Sequence, residues 1–423
     1  MPKFLDLFAG CGGLSLGLTN AGWTGRFAIE KHPDAFRTLE ANLLTGSRKS
    51  FEWPRWLERK AWSIQSLISK HSVELAAMKG SIDLIAGGPP CQGYSTAGRR
   101  NPHDNRNKLV SQYLQLVKLV EPRFLILENV TGFTSGFEER EVDGKKRRGR
   151  AASEMLVASL RALDYHVSSA LINCADWGVP QRRTRFIALA VHKNFKNSSL
   201  LPDLIEQLKS ERVSFLKARG LPEQRHVTAR EAIDDLATVG RTLEVDPEHS
   251  NFLRLAYSPP EISSSYLSCM RDGADDRAPN SLRLPNHRQK TLDRFGMILE
   301  SSERGKTLSL TERERFGLKK HTFIPLSPDR PSPTVTTLPD DMMHYAEPRI
   351  LTVREMARLQ SFPDWFDFHG KYTTGGPNRA IDCPRYTQVG NAVPPLLAEA
   401  LGQTIASLLR QRRDASTEAA SAS

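Results

Sequence analysis

The stretch KFLDLFAGCGGLSLGLTNAG, Lys3 to Gly22, is an apolar run that stops at a glycine cluster and resumes with leucines at helical spacing. That order predicts a strand, a tight turn and a helix. A second strand candidate, GRFAIE, ends in Glu30 about 20 residues after the glycines, and a third, IDLIAGG, runs into the loop GGPPCQGYS. From Asn107 the segment NKLVSQYLQLVKLV puts Leu109 or Val110, Tyr113, Leu114, Val117 and Val120 on one helical face. Pro122 then breaks the helix before RFLILENV. Strands alternating with helices predict an α/β fold with a parallel sheet in this half.

Further along, YHVSSALINCADWGVPQRRTRFIALAV gives two more strands around a loop containing PQRRTR. The charge run EREVDGKKRRGRAAS has no apolar periodicity and suits a solvated or phosphate-contacting loop. Between about 192 and 346 the pattern loosens into Ser-, Pro- and charge-rich pieces, as expected of an inserted second domain. Regularity returns with LTVREMARLQSFP, where Val353, Met356, Ala357 and Gln360 follow a 3-4 spacing. A last helix, PPLLAEALGQTIASLL, carries Leu397, Leu401, Ile405 and Leu408 on one stripe. The expected organisation is a first domain over 1–191, an irregular insertion over 192–346, a return to the first domain over 347–413 and a disordered tail over 414–423.

The chain has 423 residues, with 59 Lys and Arg against 48 Asp and Glu. Its formal charge of +11 and pI near 9.5 favour a polyanionic partner such as nucleic acid. The five cysteines are scattered, with no C-x-x-C pair, so neither a disulfide framework nor a metal site is expected. No run approaches the roughly 18 apolar residues of a membrane span, and a reducing, cytoplasmic location is expected.

Four chemical groups stand out. The glycine turn followed by Glu30 suits a nucleoside-containing cofactor, the carboxylate meeting ribose hydroxyls. Because G-x-G-G is not the full dinucleotide fingerprint, S-adenosylmethionine ranks above NAD. Cys91 follows a strand end behind Pro89 and Pro90, whose rings fix two φ angles. As a nucleophile it needs thiolate, which the cations Arg99, Arg100, Arg106 and Lys108 would favour. Glu128 is delivered to the sheet's carboxyl edge by RFLIL, while Arg183 and Arg185 alternate in strand register and suit a phosphate or a carbonyl oxygen. Together these fit one reaction. A thiolate added at C6 makes cytosine C5 enamine-like and able to attack a methyl sulfonium, while the acid engages N3. A nicotinamide dehydrogenase would leave the thiol loop, ENV and QRRTR unexplained.

In order, DLFAGCGGLSLGL, GGPPCQGYS, ENV, QRRTRF, LTVREMARLQSFPDWFDFHG and TQVGNAVPPLLAEAL resemble the motifs of the DNA (cytosine-5) methyltransferase family. The resemblance implies a Rossmann-like mixed sheet flanked by helices, with 192–346 as a smaller target recognition domain. It implies Cys91 as nucleophile, Glu128 on N3 and the exocyclic amine, Arg185 on the cytosine O2, and Arg183 supporting the loop and backbone. S-adenosylmethionine would lie over Asp6, Phe8, Gly10, Gly12, Gly13 and Leu14. Glu30 would hold the ribose, Ser63, Ile64 and Pro89 would stand nearby, and Asn391 and Val393 would close the methionine end, so the last helix should pack beside the first. Ser63 stands where the family usually has Asp before Ile. Gln92, Ser95, Arg99, Arg100 and Arg106 would close over double-stranded DNA around a flipped-out base. Arg283, Asn286, His287 and Arg288 are candidates for reading bases. The implied enzyme is a bacterial-type monomer that either protects DNA from a separately encoded cognate restriction endonuclease or acts alone. A transfer-RNA methyltransferase and an inactive DNA-binding relative are the alternatives. The long insertion favours DNA over RNA, and intact Cys91, Glu128 and Arg185 favour an enzyme.

Overall fold

In the computed structural model the described residues are 1–89, 108–136, 140–142, 145–147, 150–195, 203–259, 261, 264–274, 276–374 and 381–421. The first half alternates strand and helix as expected: β1 (Lys3–Leu7), α1 (Gly13–Asn20), β2 (Thr24–Ile29), α2 (Pro33–Leu39), α3 (Ile64–Ala77), β3 (Leu84–Gly87), α4 (Lys108–Val120) and β4 (Phe124–Val130). A short hairpin, β5 (Arg140–Val142) and β6 (Lys145–Arg147), precedes α5 (Ala152–Ala162), β7 (Tyr165–Asn173) and β8 (Thr184–His192).

Six of these strands form one sheet in the order β2-β1-β3-β4-β8-β7. The first four are parallel, and β8 and β7 run antiparallel to their neighbours, so the sheet is mixed. Its inner strands are mostly apolar because both faces are covered, whereas the edge strand β7 alternates polar and partly exposed residues. In β4, Phe124 and Ile126 enter one core with α1, while Leu125 and Leu127 enter a second core with α3 and α4. The period-2 alternation of a strand thus feeds two layers at once, each buried Leu or Ile contributing about 1.5–3 kcal/mol.

The rest of the chain carries α6 (Leu204–Ala218), α7 (Ala229–Ile233), β9 (Leu243–Val245), β10 (Leu253–Leu255), α8 (Ser265–Arg271), α9 (Gln289–Ser301), α10 (Leu310–Arg315), β11 (Ile324–Pro325) and β12 (Met342–Met343). It then returns through α11 (Val353–Leu359), α12 (Arg385–Asn391) and α13 (Pro395–Ser421). The insertion divides between two cores. Leu204, Ile205, Leu208, Ala229 and Tyr266 join the core that holds α1, whereas Phe295, Ile298, Leu308, Phe316 and Phe323 form a small core of their own with Met343 and Ile350. The tail expected to be disordered continues α13 as far as Ser421, in keeping with its alanine content and lack of proline or glycine.

Helix α13 lies along α1. A Cβ on Gly17 would stand 2.4 Å from both the Ala398 Cβ and the Pro395 carbonyl, so only glycine permits this approach. Trp23 closes the far end by donating its ring N–H to the Gly402 carbonyl at 3.0 Å. The apolar stretch from Arg385 to Arg410 could cross a membrane by length and composition, but 78% of its window is buried inside the fold. Its apolar side chains are spent on packing.

Where the insertion rejoins the sheet domain, α11 is held by charge. Arg358, fully buried, donates to both oxygens of Asp235 at 2.7 and 2.9 Å and to both of Asp364 at 2.7 and 2.8 Å. Arg349 pairs with both oxygens of Glu355 at 2.7 and 2.8 Å, and Glu355 also closes the capping box with Thr352 at the start of α11.

Candidate active site

Between β1 and α1 the backbone passes three times through the left-handed region, at Phe8 (φ 63°), Gly10 (φ 57°) and Gly12 (φ 99°). Phe8 has no glycine's freedom, and its conformation costs about 1–3 kcal/mol, the kind of strain that gathers at ligand clamps. A Cβ on Gly13 would meet the Val393 carbonyl at 2.3 Å, so the turn and the segment after α12 lie backbone to backbone. Here the first-to-last packing expected from the motifs is realised, bringing Val393 to the glycine turn, with the exposed Asn391 two residues before it.

At the end of β2, Glu30 accepts from the Gly10 N–H at 3.0 Å on one oxygen and from the His32 N–H at 2.7 Å on the other. Each oxygen keeps a lone pair, so a fixed carboxylate stands beside the turn with two acceptors left for vicinal hydroxyls. The Glu30 carbonyl receives the Trp62 N–H at 2.8 Å, which sets Ser63 nearby. Ser63 is the N-cap of α3: its hydroxyl oxygen accepts from the Ser66 N–H at 3.1 Å and lies 2.9 Å from the Ser66 hydroxyl. These donors and acceptors fit a nucleoside cofactor.

Three residues expected at the cofactor do other work with their side chains. Asp6 is fully buried, accepts the Ser15 hydroxyl at 2.6 Å, and supports the turn from beneath rather than lining it. Burial raises its carboxyl to about 7. Leu14 and Ile64 are buried in the two cores, leaving only their backbones for a ligand.

The second group of residues meets across β4 and β8. Their antiparallel register sets Val130 opposite Arg185 and Glu128 opposite Ile187. The Arg185 Nε lies 2.9 Å from a Glu128 carboxylate oxygen, with both side chains largely shielded from solvent. A Cβ on Gly88 would lie 3.0 Å from the Glu128 carbonyl and carboxylate oxygens, so glycine lets the chain leaving β3 pass directly beside this pair. Asn129 then anchors that chain by donating to the Pro89 carbonyl at 3.0 Å. Cys91, Gln92, Ser95, Arg99, Arg100 and Arg106 lie outside the described residues.

Arg183 points away from Glu128. Its guanidinium donates to the carbonyls of Val335 (3.0 Å), Gly390 (3.0 Å) and Ala392 (3.3 Å), tying the loop before β8 to the end of α12. Burial, aided by neighbouring Arg185, pushes it down to about 9. Two candidates for base reading are occupied by packing. Arg283 is sandwiched between the Tyr372 and Phe252 rings at 3.6 and 4.2 Å, and His287 accepts from the Ile350 N–H at 3.3 Å while packing on Phe295. Asn286 and Arg288 are exposed.

Sequence reasoning missed Gln181 and gave Gln360 only to an apolar stripe. Both are fully buried and bonded to each other at 2.9 Å. The signal was there, since an amide on a core-facing stripe must find partners.

A model of the C-5 cytosine-specific DNA methylase family matches residues 2–407. The chain belongs to that family. It is thus an S-adenosylmethionine-dependent enzyme acting on cytosine C5 in DNA. Among characterised relatives it is 29% identical to the Type II methyltransferase M.DdeI of Desulfomicrobium norvegicum, over 95% of this chain and 88% of that protein. It is also 29% identical to M.XorII of Xanthomonas oryzae pv. oryzae, over 99% of this chain and 87% of the relative. A prophage-encoded E. coli protein described as a DNA modification methyltransferase shares the fold at TM-score 0.65 and 24% identity, covering 97% of this chain and 100% of its own. The S. pombe Dnmt2 methyltransferase shares it at TM-score 0.53 and 17% identity, covering 98% and 100%.

Proposed function

We propose that this methyltransferase modifies cytosine within one short sequence of double-stranded DNA, as a monomer, in the manner of the Type II modification enzymes it resembles. A separately encoded restriction endonuclease recognising the same sequence is the partner this reading implies. The observation that carries it is the Glu128–Arg185 pair, aligned across β4 and β8 beside the chain that leads to Cys91.

In this reading Cys91 adds as thiolate to C6 of a base rotated out of the duplex. The sulfur–C6 bond forms as the C5–C6 π pair moves to C5. Glu128 engages N3 and the exocyclic amine, drawing off charge as the bond forms, while Arg185 holds O2 and keeps Glu128 oriented. C5 becomes nucleophilic through the chemistry of the chain's own residues. S-adenosylmethionine, when bound, supplies a methyl group on a positively charged sulfur. Phe8, Gly10, Gly12 and Gly13 would hold it with Glu30, Asn391 and Val393. Loss of the C5 proton to a base and departure of the Cys91 sulfur restore the ring.

Asn286 and Arg288, exposed ahead of α9, are the stronger of the four base-reading candidates, and the small core around Phe295 and Phe323 is the body of the recognition domain. The free thiols Cys11, Cys174, Cys269 and Cys383 suit the reducing cytoplasm. The test is base-resolution sequencing of methylcytosine in plasmid DNA from cells expressing the wild-type chain beside Cys91→Ser. Methylcytosine at one recurring short sequence, absent from the variant, is expected. A variant that methylates normally would sink the mechanism. Glu128→Gln is expected to bind DNA and turn over at least about a hundredfold more slowly, in line with losing a general acid.

A further inference from the structure

The two substrate sites are formed by segments far apart in sequence, and buried polar side chains join them. On one side is the loop before β8, which leads directly to Arg185. On the other is the end of α12, which leads directly to Asn391 and Val393. Between them stands Gln360, the residue following α11.

The Gln360 side-chain amide donates to the Val389 carbonyl in the last turn of α12 at 2.7 Å. Its carbonyl oxygen accepts from the Gln181 side chain at 2.9 Å, and Gln181 also donates to the Leu359 carbonyl at 3.1 Å and accepts from the Val335 N–H at 2.7 Å. Both glutamines have no solvent exposure, so none of these bonds can be exchanged for one to water. Arg183 runs parallel to them, from the same loop to the Gly390 and Ala392 carbonyls. The Val393 carbonyl then rests on Gly13, whose position tolerates no side chain. A shift of the segment after α12 therefore breaks bonds whose other ends hold the loop before β8.

We propose that Gln360 is a positioning residue that couples the two sites. By fixing the carbonyl of Val389 and the amide of Gln181 together, it makes ordering of the cofactor segment and ordering of the base-holding loop one event. Cofactor and DNA then favour each other's binding by the same factor, as thermodynamic linkage requires. This rests on the cofactor and base sites being those proposed above. Gln360 touches neither ligand and acts only through the backbone it holds.

The experiment measures binding of a duplex carrying the recognition sequence with and without S-adenosylhomocysteine, by fluorescence anisotropy, for wild type, Gln360→Met and Gln181→Met. Methionine keeps the side chain's length and removes its hydrogen bonds. Wild type is expected to bind DNA several-fold more tightly with S-adenosylhomocysteine present, and each variant to lose most of that factor. Affinity of each variant for S-adenosylhomocysteine alone is expected to fall about tenfold, the scale of one buried hydrogen bond. A purely structural glutamine would lower the unfolding temperature and leave the coupling factor intact, and that result overturns the proposal. Hydrogen exchange of the wild-type chain needs no variant. S-adenosylhomocysteine should slow exchange across 181–185 as well as 389–393, and protection confined to the cofactor segments overturns it too. Failure of wild type to bind S-adenosylhomocysteine or to methylate DNA would count instead against the site assignment, so the two failures are separable.

Discussion

Strand β4 and helix α11 are both enclosed by protein, yet they are held in opposite ways. β4 offers Phe124, Leu125, Ile126 and Leu127 to apolar cores on both sides of the sheet. α11 buries Arg354, Glu355 and Arg358 beside Val353 and Met356. Apolar packing is nondirectional and tolerates substitution of similar volume. A buried guanidinium is worth its desolvation only when each donor meets a partner. The sheet is therefore a platform whose shape is robust. The junction carrying the insertion has one geometry or none.

The sharpest way to break this contrast is Arg358→Met, which keeps the volume and takes the guanidinium away from the Asp235 and Asp364 carboxylates, leaving them only Tyr257 and Arg271 as side-chain partners among the described residues. It should lose about 3–5 kcal/mol of stability in denaturant titration. A loss under 1 kcal/mol would show that the junction is held by packing after all. Asp6 tests a fully buried carboxyl inside the sheet layer. A carboxyl raised from its ordinary 3.8 to about 7 in the fold contributes stability that is fully present below 3.8 and is lost as pH rises through 7. Asp6→Asn should keep most of what wild type loses over that window, at most about 4 kcal/mol, measured as unfolding free energy against pH. Parallel curves for the two proteins would refute it. Gly17→Ala forces α1 away from α13 and should cost about 1–3 kcal/mol, with weakened S-adenosylhomocysteine binding as Val393 leaves Gly13. Ile126→Val removes one methylene from the platform. It should cost only about 0.5–1.5 kcal/mol and leave the methylated sequence unchanged in base-resolution sequencing.

The same contrast decides what could be read from sequence. β1, α1, β3, α4 and β4 were legible because period-2 and 3.6 patterns are local, and Glu30 because it ends a strand near the glycines. The inward direction of the Asp6 side chain was not legible, because its position in the motif says nothing of where that side chain points. Ser15 nine residues away takes it inward. The junction was illegible for a different reason. Arg358 and Asp235 are 123 residues apart, and no local rule pairs them. Arg283 and His287 were named as candidates for reading bases, but tertiary packing brings Tyr372, Phe252 and Phe295 to them, which no local pattern signals.

The bond from Trp23 to Gly402 spans 379 residues of chain, and the contact of Gly13 with Val393 spans a similar length. At the roughly 5–20 residues per second of ribosomal synthesis, the glycine turn waits on the order of 20–80 seconds for the backbone that backs it. Until then the inner face of α1 is an uncovered apolar surface, a substrate for chaperones rather than for the reaction. The cofactor turn therefore reaches its final geometry only after α13 has been made, and methylating capacity arrives abruptly rather than by degrees.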